Sequence, residues 1–358
     1  MTTISADEAI STDELQLALR NSGMPLEALR WPLTPLGLHY LLIHYDIPAV
    51  DADAWRLELT GCIDRPMALS LEELKQRETV TVPVTMECAG NGRARLAPRP
   101  LSQPWLTEAV GTAAWTGTPL ASLLREAGVS EEAVEVLFTG LDRGVEGGLA
   151  QAYERSLPIA EALEADAILA WGIGEVALPP QHGFPLRLVV PGWYGMTNVK
   201  WLRRIAILDA PFAGYQQEQG YRIRHSGDEP GEPVTRMLPR ALMVPPGIPD
   251  FMTRRRFLAP GRHRLEGRAW SGCGEITRVQ VSVNDGATWD DAELHDAPGR
   301  HAWRGWSYVW EAAKPGERQL ACRAWDAAGN VQPLEPAWNV GGYANNAVQR
   351  IAVTVTPR

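Results

Sequence analysis

The sequence has few cysteines, and their spacing excludes two familiar kinds of site. Among its 358 residues there are only four: Cys62, Cys88, Cys273 and Cys322. No two of them form a CxxC pair or have the spacing of zinc ligands, so a CxxC redox motif and a zinc module are excluded. Cys273 and Cys322 could face each other in a β-sandwich, but a reduced pair is the simpler expectation.

Long apolar runs, an excess of basic residues and nucleotide-binding glycine motifs are also missing. No apolar run approaches the roughly 18 residues that a membrane-spanning helix needs. The net charge of -9 argues against a broad nucleic-acid-binding surface. Neither GxGxxG nor GxxxxGKS/T occurs, which disfavours a Rossmann dinucleotide site and a P-loop. The N-terminal stretch MTTISADEAISTDEL is acidic and lacks a signal-peptide pattern, so we expect a cytoplasmic protein, or a periplasmic or exported one if a signal has been removed.

The sequence does contain a cysteine at the end of a predicted strand. Residues 82–95, VPVTMECAGNGRAR, begin with period-two alternation and continue into a glycine-rich turn, which predicts Cys88 on the apolar side at the rim of a sheet. Arg93 and Arg95 follow at once and make the surroundings of the thiol electropositive. Such surroundings lower a cysteine pKa and favour the thiolate, which binds soft metals or attacks electrophiles. The alternative is a small buried apolar residue before a turn.

Residues up to about 210 carry alternating helix and strand signals. Helices are predicted at 13–20, after the capping box at Ser70, between Thr118-Pro119 and Gly128, and at 158–171. Strands are predicted at 55–60, 82–88, 134–139 and 186–190. This alternation indicates a mixed α/β or α+β domain.

The remainder of the chain is predicted to be all-β. Residues 230–260 hold seven prolines and little periodicity, so we interpret them as a linker or an extended crossing. Asn284-Asp285-Gly286 is a hairpin-turn signal. Strands are predicted at 276–283, 303–310, 319–325 and 350–355. Strands at this spacing are typical of an immunoglobulin-like sandwich of ~100 residues.

A histidine and two cations lie around a predicted buried strand. His182, Arg187 and Lys200 surround the strand at 186–190 and its Pro-Gly turn, where such side chains need anionic partners or water. The set predicts a socket for a phosphate-bearing cofactor, in which arginine binds bidentately and lysine acts as a point charge. The alternatives are scattered salt bridges and a solvated face.

Two further residues are candidates for the same site. His44 follows the apolar arm at 41–43, and taken alone it is a hydrogen-bonded structural histidine. Asp142 follows the strand predicted at 134–139, and taken alone it is a turn residue. We include both among the cofactor-binding candidates.

Four segments resemble the sulfite oxidase family of molybdenum-cofactor enzymes, of the haem-free bacterial type. ECAGNGR resembles that family's cysteine loop, and GFPLRLVVPGWYGMTNVKWL resembles its cofactor-binding stretch. RAWSGCGEITRVQVSVNDGATW and AWNVGGYANNAVQRIAV resemble its C-terminal dimerisation domain. The resemblance covers residues about 40 to 358 in the expected order, which is far more specific than any one motif.

The resemblance implies a fold and a domain organisation. The fold is α+β, with a sulfite-oxidase-like mixed α/β molybdopterin-binding domain followed by an all-β immunoglobulin-like sandwich. The expected divisions are an N-terminal arm at 1–40, the molybdopterin-binding domain at 41–229, a proline-rich linker at 230–260 and the dimerisation domain at 261–358. Family members pair through this last domain by two-fold symmetry, so a homodimer is expected.

The resemblance also implies roles for single residues. Cys88 matches the cysteine whose thiolate binds molybdenum, and the metal's other sulfurs come from the dithiolene of molybdopterin. Tyr221 aligns with the family's active-site tyrosine, Arg350 with a C-terminal arginine near the anion pocket, and Arg93 lies in the cysteine loop beside the cofactor. The residues that match those holding the pterin and its phosphate are His44, His182, Arg187 and Lys200.

One departure from the family concerns the substrate. Family sulfite oxidases carry an arginine two residues before the histidine matched by His44, where this chain has Leu42, so the oxyanion pocket lacks one cation. The chain shows no haem or iron–sulfur module, so electrons must pass to an external acceptor such as a cytochrome. We expect a molybdopterin-dependent oxidoreductase that transfers an oxygen atom to or from a small sulfur oxyanion such as sulfite. The alternatives are sulfane-sulfur oxidation, reduction of an S-oxide or nitrate, and a cofactor-free dimeric scaffold.

Overall fold

The computed structural model describes residues 10–357, and within them no helix is long and apolar enough to cross a membrane. The α-helices are α1 (Thr12–Arg20), α2 (Leu71–Lys75), α3 (Leu120–Ala127) and α4 (Ile159–Glu164). The strands of the first domain are β1 (Leu57–Gly61), β2 (Met67–Leu69), β3 (Val80–Glu87), β4 (Val110–Pro119), β5 (Glu135–Glu146), β6 (Leu149–Pro158), β7 (Ile168–Ile173), β8 (Val176–Ala177), β9 (Arg187–Val189) and β10 (Leu202–Leu208). The later strands are β11 (Arg222–Ile223), β12 (Glu232–Pro233), β13 (Arg240–Met243), β14 (Ile248–Pro249), β15 (Arg256–Leu258), β16 (Gly261–Trp270), β17 (Ile276–Ser282), β18 (Asp290–Asp291), β19 (Glu293–Leu294), β20 (Arg304–Ala312), β21 (Gly316–Asp326) and β22 (Gln349–Val355).

Two sheets of the first domain bring the cysteine loop and the cationic stretch together. One sheet has the order β2-β1-β10-β5-β6, and the other has the order β3-β4-β7-β8, with β9 added to β7. Side chains of both sheets and of α3 share one core, in which Leu123, Phe138 and Leu188 are fully buried. Because β3 ends directly before Cys88 and β9 begins at Arg187, the second sheet carries both segments.

Local signals set the helix ends at or close to their predicted places. The hydroxyl of Ser11 accepts from the Glu14 N–H and the Glu14 carboxylate accepts from the Ser11 N–H, which is a capping box. Ser70 and Glu73 repeat the arrangement at the start of α2. Gly128 ends α3 in the left-handed conformation with φ 72.

The second domain is a sandwich of two sheets, as predicted. The sheets have the orders β13-β16-β20-β19 and β14-β15-β22-β21-β17-β18. Alternate residues of β21, namely Leu320, Cys322 and Ala324, are fully buried between them. The predicted hairpin turn has Asp285 at φ 56 and Gly286 at φ 83, which fits the type I′ geometry of two-residue hairpin loops. All four cysteines are free, so the expectation of a reduced pair is confirmed.

Two segments differ from their predictions. The helix predicted at 158–171 stops at Glu164, and Ile168–Ile173 forms the central strand β7, because pairing with β4 and β9 buries these residues. Residues 230–260 are more than a linker, since they contain β12 to β15, and all four residues of β13, a strand of the sandwich, are buried. Pro239 directly precedes β13, where no ladder N–H is needed.

The second half of β3, from Val84 to Glu87, is buried on both faces because the second domain covers one of them. Its alternation was predicted to turn Thr85 and Glu87 to a polar side. The Thr85 N–H donates to the His301 carbonyl at 2.9 Å, and Thr85 Oγ1 accepts from the Trp303 N–H at 2.7 Å. Glu87 forms a buried ion pair with Arg240. Cys88 therefore emerges at the junction of the two domains.

Candidate cofactor site

The residues predicted to bind a cofactor surround one cavity of the first domain. It encloses about 660 Å³ when its open mouth is counted, within the size range of small-molecule sites. His39 from the N-terminal arm, Met86 from β3 and Asn198 from the loop before β10 contribute to its wall. Seven of the nine predicted site residues line it: His44, Cys88, Asp142, His182, Arg187, Lys200 and Tyr221.

Cys88 is fixed where β3 turns into the glycine-rich loop. Its N–H donates to the Ala109 carbonyl at 2.9 Å, and its side chain is only 8% exposed. Burial raises the pKa of the thiol, while the charge of Arg93 and a hydrogen bond from the Gly90 N–H lower it less. The prediction of a lowered pKa is therefore wrong for the protein by itself, because burial outweighs the charge of Arg93. A coordinated metal ion deprotonates a thiol outright, so the raised pKa is compatible with a ligand role.

Two cations face the cavity, and within residues 10–357 neither forms an ion pair. Arg187 is buried and donates to the carbonyls of His182 at 3.1 Å and Asn198 at 3.2 Å. Lys200 Nζ donates to the carbonyl of Leu42 at 2.7 Å. Burial lowers the pKa of Lys200 to about 7 and the pKa of Arg187 to about 10. Salt bridges and a solvated face, the two alternatives, do not describe these groups, whereas an anion in the cavity would favour both charges.

Two neutral histidines lie beside these cations. The rings of His39 and His182 meet edge to face with their centres 5.7 Å apart. Burial, with the charge of Arg187 and for His182 that of Lys200, lowers the pKa of His182 to about 3 and the pKa of His39 to about 4. Gly183, at φ 108, reverses the chain directly after His182. At neutral pH both rings offer a nitrogen to a ligand without adding charge.

Asp142 enters the cavity through a strand irregularity. β5 continues past the predicted turn, and its register with β6 shifts between Thr139 and Arg143, as at a bulge that re-aims a side chain. Gly140 is required there, since a Cβ would lie 2.5 Å from Asp142 Oδ1 and 2.9 Å from the Lys200 carbonyl. Burial raises the pKa of Asp142 to about 6, against the opposing charge of Lys200. Asp142 is therefore a strand residue of the cavity wall and not a turn residue.

His44 belongs to a polar network that includes the cavity wall. Its Nε2 lies 2.9 Å from Oε2 of Glu146, which also accepts from the hydroxyl of Tyr45 at 3.2 Å and from the amide of Gln216. Burial raises the pKa of Glu146, but the hydrogen bonds from His44, Gln216 and Tyr45 outweigh it and hold the pKa below its usual value. His44 thus has a carboxylate partner, which the two cations deeper in the cavity lack.

Tyr221 joins the cavity to two buried arginines. Burial holds the pKa of its hydroxyl well above the usual value, and the neighbouring Tyr153 raises it further. The Arg155 guanidinium lies 5.6 Å from the centre of the Tyr221 ring, and that of Arg93 lies 5.1 Å from the centre of the Tyr343 ring. The two tyrosine rings are 5.2 Å apart. Arg93 thus lies beside the cavity, as predicted for a residue of the cysteine loop, without lining it.

Arg350 lies outside the cavity, contrary to its prediction. Alternation along β22 buries Ile351 in the sandwich and turns Arg350 to the outer face. There its guanidinium pairs with Asp285 at 3.1 Å and Glu335 at 2.7 Å. It borders a separate cleft together with Arg95. Two carboxylates neutralise its charge, so it is not the cation of this cavity.

Sequence reasoning missed several residues of the site. His39 lies in the same arm as His44, and Asn198 lies within the cofactor-binding stretch, so closeness to chosen residues was a usable signal for both. Tyr153 and Arg155 had no such signal, because β6 falls in a stretch to which no strand was assigned.

Unsatisfied polar atoms provide a test of what the cavity can hold. Within residues 10–357, His39 Nε2, Asp142 Oδ1 and Arg187 Nε are buried without a hydrogen-bond partner, an arrangement that calls for a bound group. No three His, Cys, Asp or Glu side chains of the described residues are grouped as a metal site. Molybdopterin fits this set of groups. The thiol suits the metal, the two unpaired cations suit the phosphate, and the buried polar atoms suit the pterin.

Comparisons with known proteins agree with a molybdopterin site in this cavity. The oxidoreductase molybdopterin binding domain matches residues 44–216, and the Mo-co oxidoreductase dimerisation domain matches residues 251–356. Sulfite oxidase of Gallus gallus is 36% identical over 89% of this chain and 72% of its own length. Nitrate reductase [NAD(P)H] of Hordeum vulgare is 31% identical over 94% of this chain and 41% of its own length. The sulfane dehydrogenase SoxCD of Paracoccus pantotrophus superposes with a TM-score of 0.81 at 26% identity, covering 99% of this chain and 89% of that chain.

The fold, the cavity and these matches define a two-domain oxidoreductase that binds the molybdenum–molybdopterin cofactor. Within that class, the chain belongs to the sulfite oxidase family. Its second domain is a dimerisation domain, which supports the expected homodimer.

Proposed function

We propose that the chain oxidises a small sulfur oxyanion, sulfite, and passes the electrons to an external acceptor such as a cytochrome. Sulfite and water give sulfate, two protons and two electrons, so two one-electron acceptors are reduced in each turnover. Sulfite oxidase relatives that match most of the chain support this proposal.

The observation that carries the proposal is the pair of arginines around Tyr221 and Tyr343. Arg93 and Arg155 are 5% and 2% exposed, and within residues 10–357 neither has a carboxylate partner. Arg93 Nε donates instead to the carbonyl of Gly341 at 2.9 Å. One guanidinium group acts on the Cys88 thiol and the other lies over the ring of Tyr221, which lines the cavity, so the two charges favour a small anion there.

The residues of the cavity divide into three proposed roles. Cys88 supplies the thiolate ligand, and when bound the molybdenum centre supplies two-electron oxygen-atom transfer. Tyr221 orients the oxyanion with its hydroxyl, which stays protonated because burial holds its pKa well above the usual value. Arg93 and Arg155 attract the anion. The groups that hold the pterin and its phosphate are His44, Asp142, His182, Arg187 and Lys200.

Oxidation of a sulfane sulfur is a second candidate, and Leu42 favours it. Leu42 lines the cavity, where it adds apolar surface at the place of a family arginine. A less charged or organic sulfur substrate suits such a wall better than a dianion does. The match to a sulfane dehydrogenase over 99% of this chain is in keeping with this alternative.

A substrate screen on the loaded protein tests both candidates. Molybdenum is first quantified on the purified chain, and about one atom per chain is expected. Sulfite, thiosulfate, an S-oxide and nitrate are then supplied, with an oxidised dye for the first two and a reduced dye for the others. Sulfite should reduce two equivalents of the dye for each sulfate formed. Dye reduction by thiosulfate alone would replace sulfite by a sulfane substrate, and a chain that takes up no molybdenum would be a scaffold.

A further inference from the structure

The cysteine loop, residues 88–93, is held at its beginning by the second domain. Both carboxylate oxygens of Glu87, the residue before the loop, are used. Oε1 accepts from Nη1 of Arg240 at 2.5 Å, and Oε2 accepts from Nε1 of Trp270 at 2.9 Å. All three side chains are at most 2% exposed. The strand that presents Cys88 is thus tied to the sandwich by a fully buried, fully bonded carboxylate.

The middle and the end of the loop are held by residues 341–345 of the second domain. The Ala344 N–H donates to the Ala89 carbonyl at 2.8 Å. Nδ2 of Asn345 donates to the Gly92 carbonyl at 2.8 Å. The carbonyl of Asn345 in turn accepts from Nη2 of Arg240, so the two attachments are linked.

The approach at Gly92 leaves no room for a side chain. Gly92 has φ 93, and a Cβ there would lie 2.9 Å from both Nδ2 and the carbonyl oxygen of Asn345. The first domain holds the flanks of the loop, through Cys88 to Ala109 and Ala94 to Trp105. Asn91, in the turn between, donates to the Glu87 carboxylate and the Thr107 carbonyl and accepts from the Ala109 N–H. The second domain adds the hydrogen bonds to the carbonyls of Ala89 and Gly92.

We infer that Asn345 is a positioning residue for Cys88, acting through the carbonyl of Gly92. The side-chain amide fixes the one turn that decides where the thiol stands relative to the cavity. Loss of this hydrogen bond leaves the Gly92 carbonyl with only the Arg95 N–H, at 3.0 Å, and removes one of the attachments that hold the loop to the second domain, which lets the loop open locally. The inference concerns the loop itself, and only its consequence for turnover rests on the proposed function.

A matched pair of substitutions tests this role in the full-length chain. Asn345→Ala removes the donor to Gly92. Asn346→Ala is the control, because its Nδ2 donates at 2.9 Å to the Pro239 carbonyl within the second domain and is buried to a similar extent. Iodoacetamide labelling of each cysteine is followed by mass spectrometry of the peptides. Cys322, which is fully buried in the sandwich core, reports global opening.

We expect Asn345→Ala to label Cys88 about tenfold faster than wild type while Cys322 stays protected. Asn346→Ala should leave the labelling of both cysteines unchanged. Equal acceleration of Cys88 in both variants, or acceleration of Cys88 and Cys322 together, would mean general destabilisation and would overturn the inference. The electron paramagnetic resonance spectrum of molybdenum in the half-reduced loaded protein should shift in Asn345→Ala only.

A second pair of substitutions tests the same point if Asn345→Ala does not fold. Trp270→Phe removes the donor to Glu87, and Trp303→Phe removes a donor at 2.7 Å to the Pro32 carbonyl, away from the loop. If Cys88 is labelled faster in Trp270→Phe but not in Trp303→Phe, this supports the conclusion that the second domain holds the cysteine loop. If Cys88 in Trp270→Phe is labelled at the wild-type rate, the conclusion is contradicted. If wild-type protein is labelled as expected but does not oxidise sulfite, the proposed function fails while the positioning role of Asn345 stands.

Discussion

The two sides of the cysteine loop treat charged groups in opposite ways. On the cavity side, Arg187 and Lys200 have no carboxylate partner within residues 10–357, and burial depresses the pKa of each. On the domain side, Arg240 is 1% exposed and pairs with Glu87, whose second oxygen is satisfied by a tryptophan. A buried cation is therefore left without a counter-ion at one place and given one at the other.

The difference separates a binding role from a structural one. A buried ion pair contributes to a fixed geometry, and breaking it leaves an uncompensated charge. A cation without a counter-ion costs stability in the protein by itself, and an anionic ligand offsets that cost. The cations of the cavity thus need a ligand as their counter-ion, whereas Arg240 at the interface already has Glu87.

The largest effect expected is on the domain side, from Arg240→Met. This substitution leaves the Glu87 carboxylate buried without its cation, and we expect it to lower the free energy of unfolding by about 3–5 kcal/mol. Arg187→Met in the same cofactor-free chain should cost less than a third of that, because it removes a charge that has no partner. Denaturant titrations measure both values. If Arg240→Met and Arg187→Met lose the same free energy of unfolding, the two sides of the cysteine loop do not differ as described.

The next largest effect concerns the loop between them. Cys88→Ser replaces the proposed thiolate by a harder and far less acidic donor. We expect the variant to fold and dimerise as wild type does, but to lose at least ~100-fold in kcat, in the range seen when a key electrostatic group is removed. Turnover is normalised to molybdenum content, and Cys322→Ser serves as a control. Turnover of Cys88→Ser near that of the control would falsify the ligand role.

A smaller effect is expected in the pH dependence of stability. The pKa of Lys200 is about 7 in the folded chain against an ordinary value of 10.5, so between these values the unfolded state binds more protons. Stability of the cofactor-free protein therefore rises with pH across this window, and the gain is lost as pH falls toward 7. From pH 7 to 9 we expect the free energy of unfolding to rise by about 1–2 kcal/mol. This is less than the full pKa shift would give, because the side chain borders a cavity that admits water.

The control for this effect is Lys200→Met, which keeps the stem and removes the ammonium group. Unfolding free energies at pH 7, 8 and 9 should rise for wild type relative to this variant. In the loaded protein the difference should vanish, because the phosphate of the cofactor favours the charged lysine. If the free energy of unfolding changes equally with pH in cofactor-free wild type, in Lys200→Met and in the loaded protein, Lys200 has a counter-ion of its own.

The smallest effect concerns the apolar wall of the cavity. Leu42→Arg adds a cation where the family carries one, and a charge-assisted hydrogen bond is worth roughly 1.5–3 kcal/mol. We expect kcat/KM for sulfite to rise about tenfold, chiefly through KM, and activity on any sulfane substrate to fall. Steady-state kinetics are read beside a melting curve. Early melting without a gain on sulfite would mean that the arginine does not reach the anion.

Local patterns of the sequence predict local structure well in this chain. The serine capping boxes, the end of α3 at Gly128 and the position of Cys88 after β3 all follow from residues within one turn or one strand. The hairpin after β17 follows from three residues in the same way. Such features depend on backbone preferences and nearby hydrogen bonds, which a short stretch contains in full.

Features that depend on packing between distant segments could not be predicted. The bulge that directs Asp142 inward arises from the pairing of β5 with β6 and β10. The raised pKa of Cys88 comes from burial by the whole domain, which outweighs the adjacent Arg93. The resemblance assigned a role to Arg350 from its place along the chain, but the face of β22 on which it lies decides what the arginine can reach.

The attachment of the cysteine loop to residues 341–345 has a consequence for biosynthesis. A ribosome makes the first domain long before these residues appear, and domains generally begin to fold in order of synthesis. Until Ala344 and Asn345 emerge, the carbonyl of Ala89 lacks the Ala344 N–H and the carbonyl of Gly92 lacks the Asn345 amide. We therefore expect nascent chains to acquire the molybdenum cofactor only after translation is nearly complete, so that insertion follows the docking of the second domain.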